Sequence, residues 1–446
     1  MKEEPVHTTN ACKLCSPLGA CLALKGVENA VPFLHGSQGC ATYIRRYIIS
    51  HFREPIDVAA SSFDEAATVF GGANNLQRGL ANVTSQYHPE LIGVATTCLA
   101  ETIGEDVPMI LRDYKRKAVD TPALVHISTA SYRGTHADGY NATVLAICKA
   151  LSEGGVREDH VNIFVGMVST ADIRYLKEVL NDFGVRGTIL PDYSDTLDAP
   201  QFDETSSKIP PGGTSAKDIR AMGRARASIE LGRTLAGTRT AAEFLEKEFG
   251  VPRHTLGWPV GVKESDEFFE LLSELSGKPI PERHKRERGR LIDAYVDGHK
   301  YVFGRKAIVY GEEDLVVGLT AFLCEIGAQP VLCASGGESG LLAQSIRAAI
   351  EEVEKPSIRE GADFSKIREE AMALAPDFLI GNSKGYALAR ELDIPLIRVG
   401  FPIHDRIGGQ RILHLGYRGA QDLFDTVTNT LLARAQEHSP TGYSYQ

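Results

Sequence analysis

LIGVATTC runs from Leu91 to Cys98. Its apolar residues do not alternate with polar ones, as they would in a strand with one wet face. They run on continuously, as in a parallel strand covered on both faces. A cysteine closes the run, where the carboxyl edge of a parallel strand opens toward a ligand crevice. Similar runs recur along the chain: Ala123–Thr129, Val161–Gly166, Arg186–Leu190, Lys306–Gly311, Pro330–Ser335, Asp377–Asn382 and Pro395–Gly400. Amphipathic stretches such as ADIRYLKEVLNDFG and EEDLVVGLTAFLCEIG lie between them. Repeated strand–helix–strand units predict doubly wound α/β domains with parallel sheets.

The chain has 446 residues, too many for one ordinary core. The polar stretch SEGGVREDH (Ser152–His160) and the stretch Val296–Arg305 each precede a fresh strand series. We therefore expect three Rossmann-like α/β domains, spanning residues 1–158, 159–300 and 301–446. IPPGGTSAKD (Ile209–Asp218) reads as a loop before a helix, and HSPTGYSYQ as a frayed tail. The formal net charge is −10, and RERGR (Arg286–Arg290) is too short for a nucleic-acid footprint. No apolar run reaches the ~18 residues of a membrane span. MKEEPVHTTN lacks the order of a secretion signal, so the expected compartment is the cytoplasm.

Five of the eight cysteines fall at Cys12, Cys15, Cys21, Cys40 and Cys98. In a reducing compartment a disulfide framework is not expected. Cys12 and Cys15 form a CxxC, but no second pair completes a zinc site and no strand precedes it. Cys15 is followed by SPLGA, Cys40 is preceded by HGSQG, and Cys98 ends a strand. Three cysteines in such settings fit an iron–sulfur cluster, whose iron neutralises the thiolates. They also fit buried structural cysteines. Gly36 and Gly39 permit positive φ and would let N–H groups approach bridging sulfides. There is no GxxxxGK[ST] phosphate loop, so any nucleotide-driven step belongs to another subunit. Asp293 and Asp297, four apart, share one helix face and with Glu54 could form an oxygen-ligand cation site. A solvated acidic face explains the same spacing. His35, His51, His126 and His404 read as structural histidines rather than metal ligands.

Taken together, CSPLGA, HGSQGC, HFREP, TVFGG, TTCLAETIGED, LPDYSDTLDAP, LSELSGKPIPE, ERGRLIDAYVDGHKY, PDFLIGNSKG and RVGFPIHDR resemble the nitrogenase component-one superfamily. The match is nearest to its β-type (K-type) subunits and covers nearly the whole chain in order. The resemblance implies three Rossmann-like domains. It implies an eight-iron seven-sulfur P-cluster (8Fe-7S) shared with a D-type (α-type) partner, held here by Cys15, Cys40 and Cys98. Ser131 matches a serine whose oxygen can ligate the oxidised cluster, although Ala130 stands where proline is usual. Phe70 matches an aromatic at the docking surface for an ATP-hydrolysing iron protein. Arg53, Glu54, Asp293 and Asp297 match a cation site between two K-type subunits, so the implied assembly is a heterotetramer.

The implied role is electron relay to a cofactor in the partner, with no catalytic acid, base or nucleophile on this chain. An N-type maturation scaffold carrying a four-iron cluster (4Fe-4S) is the alternative. The start 14 residues before Cys15, Ala130, FDEAATVFGG and FPIHDRIGGQ resemble the methylthio-alkane reductases more than dinitrogenases. The substrate reading leans to C–S bond reduction, with N2 beside it.

Overall fold

A computed structural model describes residues 12–118, 121–200, 208–237, 239–350 and 355–440. The N-terminal decapeptide and most of the terminal HSPTGYSYQ lie outside the described residues.

Three sheets form, and every strand pair in them is parallel. The first holds β1 (Ala30–His35), β2 (Ala59–Ala60), β3 (Leu91–Thr96) and β4 (Ala123–Ile127), in the order β2-β1-β3-β4. The second holds β5 (Glu158–Phe164), β6 (Gly187–Leu190), β7 (Ala225–Leu231) and β8 (Arg253–Leu256), in the order β6-β5-β7-β8. The third holds β9 (Lys306–Gly311), β10 (Gln329–Ser335), β11 (Ser357–Arg359), β12 (Phe378–Gly381) and β13 (Leu396–Arg398), in the order β11-β10-β9-β12-β13. These are Rossmann-like doubly wound α/β layers. β1 and β3 are buried at every residue, as continuous apolar runs require.

Five strands depart from the sequence expectation: β1, β2, β7, β8 and β11. Pro32 interrupts β1, yet β2 pairs only with Phe33 and Leu34, so the missing N–H falls beside no β2 partner. β7 buries Glu230, which masks its apolar character. β2, β8 and β11 are short strands at sheet edges. A helix runs continuously from Glu282 to Val302, past residue 300, while β5 opens at Glu158 within the polar stretch.

Helices in the first sheet's layer set the site. They are α1 (Ser16–Lys25), α2 (Gln38–Phe52), α3 (Glu65–Phe70), α4 (Ala73–Tyr87), α5 (Cys98–Thr102), α6 (Val107–Lys117) and α7 (His136–Leu151). α1 and α7 meet at backbone distance. A Cβ on Gly19 would sit 1.7 Å from the His136 carbonyl oxygen, and one on Gly139 would sit 2.0 Å from that of Ser16. Only glycine admits so close a crossing. Thr135 caps α7 in a reciprocal box with Asp138. The chain before α1 is tied to that cap: Cys15 bridges Thr135, and the His136 N–H donates to the Leu14 carbonyl at 3.0 Å.

Gly139→Ala should therefore lower stability by at least about 1–3 kcal/mol, because the obstructing atoms are backbone and cannot rotate away. A urea midpoint for the variant within error of wild type would contradict this crossing.

Candidate functional site

The carboxyl ends of β1, β3 and β4 lie side by side, with His35 paired to Thr96 and Ala95 to Ile127. Each strand delivers one candidate residue just beyond its end. Cys40 is the third residue of α2, Cys98 opens α5, and Ser131 opens a short 3-10 turn, Ser131–Arg133. Cys15 joins them from the N-cap of α1, through its bridge to Thr135. Cys40 and Cys98 are half-buried and Cys15 is exposed.

The sulfurs sense one another. Although the residue is exposed, neighbouring protein strips part of the water from the Cys15 thiol and pushes it up; the nearby Leu18 N–H opposes this, and charges on Cys40 and Cys98 add to the rise. Cys40 is raised by burial first and by Cys98 second. The Ser131 N–H donates to Cys98 Sγ at 3.3 Å. Among the described residues, no group of three or more His, Cys, Asp or Glu side chains is placed to hold a single metal ion. Three thiols near enough to bear on one another's charge are soft donors of the kind that hold iron–sulfur groups. Bound iron would favour the thiolates that burial disfavours. The donor set therefore fits an iron–sulfur group.

The glycines act differently from the sequence expectation. Gly36 has φ +154°, and a Cβ there would lie 1.9 Å from Thr97 Oγ1. Its N–H donates to Ser61 Oγ at 2.9 Å, so it serves packing and not a sulfide. Gly39 sits in the first turn of α2 without positive φ, and its N–H donates to the N-cap Ser37 Oγ at 3.2 Å.

A polar layer behind the thiols was not legible as functional, although its residues sit in the same motifs. Glu101 accepts hydrogen bonds from Ser128 Oγ at 2.6 Å and from Thr96 Oγ1. Burial pushes its carboxyl up, but these bonds bring it below the usual range. The fully buried His35 contacts Ser61 Oγ at 3.1 Å through Nδ1, and its Nε2 faces Glu105 at 3.5 Å. Glu105 also accepts the Gly72 N–H. That bond ties the thiol edge to the turn after α3, whose last residue, Phe70, is 88% exposed beside exposed Val69. His136 is buried, and its Nδ1 accepts the Leu14 N–H at 3.3 Å.

The remaining candidates lie apart. Arg53 ends α2 at φ 62° and donates to the His404 carbonyl at 3.0 Å. Glu54 is half-buried, and burial raises its carboxyl. Asp293 and Asp297 are exposed on the helix Glu282–Val302. Within one chain Glu54, Asp293 and Asp297 do not gather into a metal-holding group. Cys12 is buried in the core of the third sheet, where burial pushes its thiol up to about 12. Among the described residues no helix is long and apolar enough to cross a membrane.

Residues 15–432 match the model of the family described as nitrogenase component 1 type oxidoreductase. The chain is 36% identical, over 440 residues, to the nitrogenase molybdenum-iron protein beta chain of Methanothermobacter marburgensis, covering 96% of this chain and 95% of that one. The protein of that name from Rippkaea orientalis is 38% identical, over 95% of this chain and 84% of its own. A chain of the solved structure "Nitrogenase Cp1 at pH 6.5" superposes with TM-score 0.95 at 34% identity, covering 100% of this chain and 98% of that one. A chain of "Nitrogenase Cp1 at pH 5", at TM-score 0.73 and 14% identity, shares the fold. The chain belongs to the nitrogenase component 1 family, in its β-chain branch, and is an electron-transfer oxidoreductase subunit of that type.

Burial pushes His136 down to about 3, with Lys384 adding to the effect. Below the ordinary histidine value of ~6.5, the unfolded chain takes up a proton that the folded chain refuses. Stability is thus lost as pH falls from about 6.5 toward 3. Between pH 7 and 5 this residue should remove about 2 kcal/mol. Urea midpoints should fall more steeply over that interval in wild type than in His136→Gln. Parallel slopes would contradict a neutral acceptor at this position.

Proposed function

We propose that this chain is the K-type subunit of a two-component reductase. In this reading it relays electrons from an ATP-dependent iron protein toward a cofactor in a D-type partner. The carrying observation is that Cys40, Cys98 and Ser131 leave the ends of three adjacent parallel strands, with Cys15 tied beside them. Cys15, Cys40 and Cys98 would hold this chain's half of a P-cluster-type 8Fe-7S group, with Ser131 as an oxygen donor. Such a group, when bound, accepts and passes on single electrons.

The chain's own contribution is placement. Neighbouring thiols supply negative charge, and the Ser131 N–H already points at Cys98 Sγ. Hydrogen bonds to ligand sulfur tune cluster potential. Phe70 offers the iron protein an exposed aromatic on a turn held by Glu105. Arg53 and Glu54 of one copy would meet Asp293 and Asp297 of another around a divalent cation, closing a heterotetramer. For the substrate we carry methylthio-alkane C–S reduction, on Ala130 and the segments around Phe63–Gly72 and Phe401–Gln410. N2 is the second reading, on the names of the β-chain relatives.

Anaerobic purification with the co-encoded partner, iron analysis and EPR through a redox titration test the cluster. About eight irons per heterodimer with a spin-active oxidised state support the relay. About four irons with an ordinary four-iron signal would replace it with the N-type scaffold. Assays with N2 and with methylthio-alkanes then separate the two substrates. Cys40→Ala should lose most of the iron and the electron transfer, while Cys12→Ala should keep both; equal losses would undo this ligand choice. Asp293→Ala should weaken association between heterodimers and spare iron content. Loss of iron in that variant would remove the interface-cation reading.

A further inference from the structure

The first sheet has a second polar site at its opposite end. Beside Ala30, Val31 and Pro32, the first residues of β1, a pocket of about 380 Å³ opens. Pockets of roughly 300–1,000 Å³ are the size that holds small molecules. Lys25, the last residue of α1, points into it and is 6% exposed. A buried ammonium normally has a counter-charge or a hydrogen-bond acceptor, because losing water without one is costly. Among the described residues no acceptor or carboxylate lies within bonding distance of Lys25 Nζ, which opens on the pocket. The nearest acid that influences it is Asp57, and that carboxylate is already engaged. Tyr87 donates its hydroxyl to Asp57 Oδ2 at 2.8 Å, and Arg45 lies 3.6 Å from Oδ1. Lys208 also lines the pocket, with its ammonium 5.9 Å from the Tyr87 ring centroid. Among the described residues three cations and one carboxylate thus line the pocket, and its remaining walls are largely apolar.

We propose that this pocket binds a small anionic metabolite whose phosphate or carboxylate group seats on Lys25, with Arg45 and Lys208 at the rim. The anion supplies a partner that no described residue gives the Lys25 ammonium. The apolar wall made by β1 takes the ligand's carbon skeleton. The site shares no residue with the thiol edge, so it stands or falls independently of the electron-relay reading.

The test uses the full chain in its complex with the co-encoded partner. Inorganic phosphate and malonate are titrated calorimetrically, and melting temperatures are recorded with and without each. At least one probe should bind saturably, one site per copy of this chain, and raise the melting temperature. Binding of only one probe assigns the group as phosphate or as carboxylate. Lys25→Met should weaken binding by about tenfold or more, while Lys25→Arg stays within about threefold of wild type. Without ligand, Lys25→Met should melt no lower than wild type, because it removes an unpartnered buried charge. Should Lys25→Met fail to assemble, Arg45→Gln decides the matter: weakened binding supports the site and unchanged binding overturns it. The proposal is also overturned if neither probe saturates by about 10 mM, or if Lys25→Met binds as wild type does.

Discussion

Two helices that touch through glycine backbone hold the thiol edge together. Had α1 and α7 met through side chains, the N-terminus of α1 would stand farther from the sheet. Gly19 and Gly139 remove that spacing, and each faces the other helix's carbonyl oxygen. The bridge between Cys15 and Thr135, and the two hydrogen bonds between Leu14 and His136, follow from the contact. Cys15 does not belong to the sheet. It reaches the ends of β1, β3 and β4 only because the cap of α7 is there to receive it. A neutral His136 is part of the same arrangement, since a protonated ring could not accept the Leu14 N–H.

The second constraint is the parallel sheet itself. Parallel pairing sends the carboxyl ends of neighbouring strands in one direction, so residues distant in sequence emerge together. Cys40, Cys98 and Ser131 use this directly. Behind them, His35 ends β1, and Glu105 and Gly72 connect it to the turn that presents Phe70. Under the proposed reading, the docking residue and the sulfur ligands therefore hang on one buried His–Glu contact. An exposed aromatic on such a braced turn differs from one on a loose loop, because Glu105 holds the Gly72 N–H and faces His35 at the end of β1.

Much of this was legible from pattern. Continuous apolar runs gave the parallel strands, and cysteines placed after turns or strand ends gave the candidate ligands. The losses have specific physical causes. β1 was hidden by Pro32, a residue that argues against a strand until one sees how little of β1 is paired by β2. β7 was hidden by a buried Glu230, which tertiary contacts tolerate and a hydropathy pattern does not. Gly39 was assigned a role from its backbone freedom, whereas Ser37 uses the ordinary N-cap geometry there. Glu101, Glu105 and His136 were missed because a hydrogen-bond acceptor has no period in sequence.

The CxxC shows how a familiar spacing can carry a different meaning. Cys12 and Cys15 are three residues apart, close enough to share one metal, but they occupy different parts of the molecule. Cys12 packs with Ile308, Tyr310 and Leu332 in the core of the third sheet. Gly336 makes room for the backbone there: a Cβ on it would lie 2.7 Å from the Cys12 carbonyl carbon. Lys384 Nζ donates to the Lys13 carbonyl at 3.3 Å, from the loop after β12. One residue later, Leu14 is bonded to His136 on the first sheet's side. The segment is a strap that anchors one cysteine in one core and leaves the next exposed at another sheet's edge. The same three-residue step that would make a chelate on a turn here leads from the core of the third sheet to the cap of α7 beside the first.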